Sequence, residues 1–580
     1  MSKIFKCFST KEWLFLVLTL ALLGIHVYCN LTLPEYMGAI VGNLQDGAIA
    51  GDLSLFWNDI LKNGGIMLLT IVGAFVTTLG VSYLSALIIT SVMAKARHQV
   101  FEKVNNFSMT EINNFSIASL ITRSTNDITQ LQNVLIMTIN MGLTAPITAI
   151  VAIIKIINLS KGLSVVTAIS VVALLMLVSL IFIFVVPKFK KVQSLTDNVN
   201  LVTRENLTGI KVVRANGAEK AQEEKFDKVN VKLTNTNIFI NKITGLLGPG
   251  ISFIMQGTSL ALVWLGAYLI SGGNIDFEVL SEFTQYAMQI IMAFMMVSML
   301  MVLVPRAMVS AQRIKQVLNS KSSIIDGSGD FQTTEVGTIE FKNVSFMYPG
   351  ADDYVLKNIS FKAQKGQTVA FIGSTGSGKS TLINLVPRFY DCTEGEVLVD
   401  GVNVKEYKLK DLHDKIGYVP QKGILFSGTI EENIKYGNQN ATDEEVAEAI
   451  KISQSKFVYS KPEGLQDHIA QGGHNVSGGQ KQRLSIARAL VKHPEILIFD
   501  DSFSALDYKT DKALRKALKS HTKGVTQLIV AQRIGTIRNA DQIIVLNEGD
   551  MVGIGTHDEL MSSCPVYQEI ALSQLKKEEL

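Results

Sequence analysis

The distribution of apolar residues divides the chain in two. Long uncharged runs dominate residues 1–310, whereas residues 336–580 mix short apolar runs with charged and glycine-rich segments, so a domain boundary is expected between them. Six apolar runs reach the roughly 20 residues needed to cross a bilayer. They are Trp13–Val41, Gly64–Ala94, Val134–Asn158, Gly162–Pro187, Leu247–Ser271 and Phe283–Met308. The first follows Lys3, Lys6 and Lys11, as a secretory leader would. It is too long for one, no small-residue cleavage site follows, and a second span comes soon after, so retention as a membrane helix is expected. Two long polar stretches, 95–133 and 188–246, separate the spans. Both carry apolar residues at helical spacing (Leu120, Ile121, Ile128, Leu131; Val199, Val202, Leu207, Ile210). That spacing predicts helices that continue as rods beyond the bilayer and meet in short turns.

Basic residues set the expected orientation. Residues 188–246 hold eleven Lys or Arg and residues 95–133 hold four, while 272–282 offers only Asp276, Glu278 and Glu282. By the positive-inside rule both long stretches and both termini face the cytoplasm. Ser2–Glu12 alternates Lys with Ile and Phe and is expected to lie along the cytoplasmic interface as a short amphipathic helix. Hydrophobic residues make up 47% of the chain and charged ones 18%, which suits a membrane protein rather than a soluble one. A net charge of +3 over 580 residues excludes a dedicated nucleic-acid binder. Cys7, Cys29, Cys392 and Cys564 form no CxxC or Cys/His cluster, so no zinc or redox motif is expected. The Lys-, Asn- and Ile-rich composition points to a bacterium.

The spans hold few charges and no ion relay is expected. Lys155 and Arg306 lie near span ends, where snorkelling explains them. His26 lies deeper and reads first as a hydrogen-bonding link to a neighbouring helix. The last span carries Met288, Met292, Met295 and Met299 on one face, with Met296 beside it. Polarisable, flexible side chains suit a surface that lines a path for varied apolar substrates, and equally suit packing between helices.

Residues 369–380 read Val-Ala-Phe-Ile-Gly-Ser-Thr-Gly-Ser-Gly-Lys-Ser and run on into Thr381. An apolar strand enters a glycine-rich loop that opens a helix, the context required for a Walker A loop. Gly373, Gly376 and Gly378 let the backbone of Ser374, Thr375 and Ser377 turn its N–H groups toward phosphate oxygens. Lys379 would reach the β/γ-phosphates of ATP and Ser380 would ligate Mg²⁺. Ile496–Asp500 reads as a buried strand ending in an acid, the Walker B pattern, with Asp500 near the Mg²⁺. Ser477-Gly478-Gly479-Gln480 opens a second helix and forms another phosphate nest.

With those loops in order, the chain resembles an ATP-binding cassette (ABC) transporter over nearly its whole length. The resemblance implies an α-helical membrane domain of the six-span, type IV ABC exporter-like kind at 1–318, a linker at 319–335, and an α/β P-loop nucleotide-binding domain at 336–580. It assigns Tyr348 to stacking on adenine, and Gln421 to the loop that links γ-phosphate and Mg²⁺ to the membrane domain. Ser504 and Asp507 fall in the loop that meets a partner cassette. Ser477–Gln480 matches the family signature, which completes the ATP site of that partner.

Two positions depart from the family pattern. The residue after Asp500 is normally Glu, the group that positions the attacking water; here it is Asp501, whose carboxylate sits back by roughly 1.5 Å. The switch histidine is replaced by Gln532, which donates a hydrogen bond but cannot become cationic. Gln471 occupies the region before the signature where Glu is usual. The double substitution resembles the degenerate subunit of heterodimeric multidrug exporters. It implies a site that holds ATP and turns it over slowly, and a homologous partner half-transporter that retains the Glu and the His. The expected function is efflux of small amphipathic or hydrophobic compounds across the cell membrane, with lipid as the surrounding solvent. Lipid or peptide export by the same engine, and a non-transporting ATP-gated regulator, stand as alternatives.

Overall fold

The computed structural model describes residues 8–331, 333 and 335–574. Most of the amphipathic helix expected at Ser2–Glu12 falls on residues 2–7, which lie outside these, as do two residues of the linker, 332 and 334.

Among the described residues, six helices are long and apolar enough to cross a membrane: α1 (Thr10–Ala50), α2 (Trp57–Asn105), α3 (Ile117–Leu159), α4 (Lys161–Thr208), α5 (Glu219–Ser271) and α6 (Phe277–Asn319). Each outruns its predicted span. At 1.5 Å per residue, the 49 residues of α2 reach about 74 Å, more than twice a hydrocarbon core of about 30 Å. The polar stretch 188–246 is helical except at brief breaks around Gly209 and Gly217, as the apolar spacing predicts. Leu120, Ile128, Leu131 and Val202 are buried along these extensions, while Ile121 and Leu207 are exposed.

The membrane unit is held by apolar packing with a few polar clasps. Leu23, Val27 and Leu31 of α1 pack with Phe283, Tyr286 and Ile290 of α6. The buried Tyr286 hydroxyl donates to Leu31 O at 2.6 Å, satisfying a polar group that lipid would leave unpaired. At the start of α1, Ser9 and Glu12 form a capping box. The nearly buried Glu12 also accepts from Ser91 Oγ at 2.7 Å and Lys95 Nζ at 2.5 Å, fastening α1 to α2. His26 makes the helix-to-helix link expected of it, with Nδ1 2.9 Å from Thr78 Oγ1.

Two expectations change. Glu278 and Glu282, assigned to a loop by their charge, lie on α6, which begins at Phe277. Gly38 of α1 makes room for them: a Cβ there would lie 3.1 Å from Glu282 Cγ and 3.3 Å from Glu278 Cγ. Lys155 does not merely snorkel, because it is ion-paired with Glu35 inside the first span. A carboxylate on a neighbouring helix supplies the partner that the lysine would otherwise seek at the interface.

Residues up to Asn105 and Ala118–Ser320 form one compact unit, and Asn106–Ile117 joins the residues from Lys321 onward in a second. In that second unit the short helix Met109–Phe115 is capped by Ser108, and Asn113 Nδ2 donates to Tyr390 Oη at 3.1 Å. An antiparallel sheet runs in the order β2-β1-β4-β5 (Leu356–Ala363, Ile339–Phe346, Glu394–Val399, Val402–Asn403). The larger sheet runs β12-β11-β3-β10-β9-β6 (Asp550–Gly555, Gln542–Asn547, Thr368–Gly373, Thr526–Val530, Ile496–Asp500, Ile416–Val419). A third, two-stranded sheet pairs β7 (Gly428–Thr429) with β8 (His468–Ile469). In the larger sheet all strands but β12 are parallel. β9 and β10 are buried at every position, as strands covered on both faces must be.

His557 anchors the C-terminal end of this unit. It is buried, with Nδ1 2.8 Å from Tyr567 Oη, and burial, aided by Arg538, holds its pKa below the ordinary 6.5. The fold therefore disfavours the protonated ring, while the unfolded chain takes up the proton near the ordinary value. Stability is expected to fall as pH drops from about 6.5 toward the lower folded value. Thermal unfolding of the full chain from about pH 8 to pH 5 should show that loss, and His557→Gln should flatten it.

Candidate functional site

The predicted site residues converge because four adjacent parallel strands end at one level. Val530 of β10 is paired with Asp500 of β9 and with Phe371 of β3, and Val419 of β6 with Phe499 of β9. Four of the candidate segments start there: Ser374–Gly378 after β3, Gln421 after β6, Asp501 after β9 and Gln532 after β10. Ligands of open parallel sheets bind at this edge. A cleft of about 670 Å³ opens over it, lined among others by Gly373, Lys379, Ser380, Gln421, Asp501 and Gln532.

The loop after β3 is shaped for an anion. Gly376 and Gly378 hold φ of 86° and 94°, and the loop leads into α7 (Lys379–Asn384). Gly373 admits no side chain, since a Cβ would lie 2.0 Å from Leu546 O of β11. Lys379 Nζ donates to Gly373 O at 2.9 Å, Ser374 O at 2.7 Å and Ser377 Oγ at 3.2 Å, which brings the ammonium over the loop. Burial pulls the Lys379 pKa down, and the charges of Asp501 and Asp500 oppose that pull.

Ser380 Oγ donates to Asp500 Oδ1 at 2.6 Å, so the hydroxyl and the carboxylate predicted to share Mg²⁺ are already together. Burial raises the pKa of both Asp500 and Asp501, and hydrogen bonds pull each back. The buried carboxylates of Asp500 and Asp501 lie near Lys379, and Glu569 adds a further carboxylate to the cleft wall, which leaves a deficit of positive charge. The donor set therefore fits a hard divalent cation bridging to a phosphate.

Asp501 is the meeting point of the other candidates. It holds φ of 46°, and its Oδ2 accepts from Gln532 Nε2 at 2.7 Å and from Gln421 Nε2 at 3.4 Å. Two amide donors thus share one carboxylate oxygen. Ser504 Oγ donates to Asp501 O at 2.8 Å, tying the next loop to the same residue.

Other predicted residues stand apart from the cleft lining. Tyr348 Oη lies 2.9 Å from Thr381 Oγ1, and its ring packs edge-on against Phe346 and Tyr390. Ser477 and Gln480 form a capping box at the start of α8 (Gly478–Leu490), with Ser477 N donating to Gln480 Oε1 at 2.9 Å. Gly479 faces the carbonyl of Ala505, where a Cβ would be 3.3 Å away. Asp507 caps the next helix through Thr510 N at 2.9 Å. On α6 the methionines share a helix face but not an environment. Met288 packs with Leu174 and Ile291, whereas Met292 and Met299 are 43% and 58% exposed.

One wall of the cleft escapes sequence reasoning. Glu569, Ile570, Ser573 and Gln574 of α9 (Pro565–Gln574) line it. Gln574 donates to Gln532 O at 2.7 Å and accepts from Ile534 N at 2.8 Å. Nothing local in α9 marks it, because its role exists only through its placement beside β11 and β3.

Comparison with known proteins agrees with this geometry. The family model described as ABC transporter matches residues 356–504, and that described as ABC transporter transmembrane region matches 15–294. An uncharacterized ABC transporter ATP-binding protein of Mycobacterium tuberculosis is 38% identical over 557 residues, 95% of this chain and 94% of the relative. A probable multidrug resistance ABC transporter ATP-binding/permease protein of Bacillus subtilis is 35% identical over 66% of each chain. A bacterial Atm1-family ABC exporter with ATP bound shares the fold, with a TM-score of 0.81 and 23% identity over 97% of this chain and 99% of that one.

Gly373→Ala tests the cradle. Its Cβ would force the loop off Leu546 O, and the expected result is a loss of ATP affinity of about tenfold or more, read by equilibrium nucleotide binding to the purified chain.

Proposed function

Because this chain belongs to the ABC transporter family of ATP-hydrolysing membrane transporters, we propose that it is the slow-turnover half of a heterodimeric exporter. Its cassette and both termini lie on the cytoplasmic side of a bacterial cell membrane. The observation that carries the reading is the pairing of Asp501 with Gln532 at 2.7 Å, where the family places Glu and His.

ATP would be held by the backbone and side chains of Gly373–Thr381, with Tyr348 toward the base. Ser380, Gln421 and Asp500 would hold Mg²⁺, which when bound offsets phosphate charge. The chain's own residues then set the rate. Asp501 is too short to reach where a glutamate would, and the two amide donors on its Oδ2 offset part of the rise that burial gives its pKa. Gln532 orients that carboxylate but brings no positive charge to it. Misplacement on the scale of 1 Å costs about 10²-fold in rate. Ser477–Gln480 keep the capped helix start of a phosphate nest, and they would complete a faster site on a homologous partner that carries the Glu and the His.

The cargo is taken to be amphipathic or hydrophobic, supported by the exposed Met292 and Met299 on α6 and by the multidrug description of the Bacillus relative.

Two measurements test this. The chain purified alone should show little ATPase activity and the complex with its partner much more; robust turnover by the chain alone would count against an obligate heterodimer. In the complex, Asp501→Glu with Gln532→His should speed decay of labelled ATP bound at the Lys379 site by about tenfold or more. No gain would place the slow step elsewhere.

A further inference from the structure

Gln482 lies in α8 two residues past the signature loop, and it is 1% exposed. A buried primary amide in an apolar helix face is costly unless its hydrogen bonds are met. Its Nε2 donates to the carbonyl of Pro420 at 2.9 Å. Pro420 follows the last residue of β6 and precedes Gln421, so this carbonyl lies beyond the sheet ladder and takes its donor from α8 instead.

The same short segment is gripped at two further points. Gly423 lies directly on the α8 backbone, where a Cβ would be 2.9 Å from Lys481 C and O and 3.0 Å from Gln482 N. Arg488 Nη1 donates to Ile424 O at 2.8 Å. Residues 420–424 are thereby fixed to one face of α8. From this fixed segment the Gln421 side chain reaches Asp501 Oδ2 at 3.4 Å.

We propose that Gln482 is a positioning residue for Gln421. It ties the helix that begins at the signature loop to the residue that reaches Asp501, so that a displacement of α8 is carried into this chain's own site. The proposal rests on the reading above for the role of Gln421 at Mg²⁺, and the geometry of the tie stands apart from that role. Of the three grips, only the Gln482 hydrogen bond can be removed while nearly keeping the volume of the buried side chain. A leucine fills the space and leaves the Pro420 carbonyl without its donor.

The test uses the full chain in lipid nanodiscs as wild type, Gln482→Leu, Gln421→Ala and the double variant; Gln482→Met replaces the leucine variant if that one does not fold. The first readout is amide hydrogen exchange at residues 421–424. It should quicken about fivefold in Gln482→Leu, the weight of one lost hydrogen bond, and stay unchanged in Gln421→Ala. Unchanged exchange in Gln482→Leu overturns the proposal.

The second readout is the Mg²⁺ concentration for half-maximal binding of labelled ATP. Gln482→Leu should raise it about threefold, with binding at saturating Mg²⁺ preserved, and should add nothing in the Gln421→Ala background. A full additional shift in that background overturns the positioning route. Faster exchange with no Mg²⁺ shift in either single variant would leave the tie standing and refute the role of Gln421 at the metal.

Discussion

Everything chemical in this chain hangs on the register of parallel strands. Backbone hydrogen bonds align β3, β10, β9 and β6 so that their ends fall within about two residues of the end of β10, and side chains far apart in sequence then share one edge. Parallel ladders tolerate no slip here. A one-residue shift of β9 would turn Asp500 away from Ser380 and put Phe499 in its place. The complete burial of β9 and β10 enforces the alignment, because any shift would expose or clash a branched side chain.

On that edge, charge is arranged with little to spare. A single lysine faces two aspartates, each made more basic by burial. Hydrogen bonds from Ser380, Gln421 and Gln532 hold the carboxylates without neutralising them. A divalent cation would supply the positive charge this site lacks and would offset the charge of a phosphate beside it. The carboxylate assigned to water in the proposed reading, Asp501, is already engaged by two amides. Under the proposed reading, retention and slow chemistry would share the same contacts.

Much of this was legible before any coordinates. Long apolar runs announce membrane helices because lipid offers the backbone no other partner. Gly373–Ser380 and Ile496–Asp500 announce their cleft because glycine spacing and a strand-ending acid are local signatures. What the sequence concealed depends on neighbours distant in the chain. Lys155 reads as a snorkelling residue until Glu35 is placed beside it, and Glu278 and Glu282 read as loop residues until Gly38 opens space for them on a helix. The α9 wall and the Gln482 tie are invisible for the same reason: each is a side chain meeting a backbone carbonyl that no pattern advertises.

The short helix Met109–Phe115 has a bearing on how the molecule is made. It belongs to the folded unit that otherwise begins at Lys321, so on the ribosome it emerges about 200 residues ahead of the surface that will receive it. In the interval α3 to α6 must enter the membrane. The nucleotide-binding fold therefore closes around a segment already tethered at both ends by inserted helices, and its last contacts wait on correct insertion. An error in threading α3 to α6 would leave Tyr390 without Asn113.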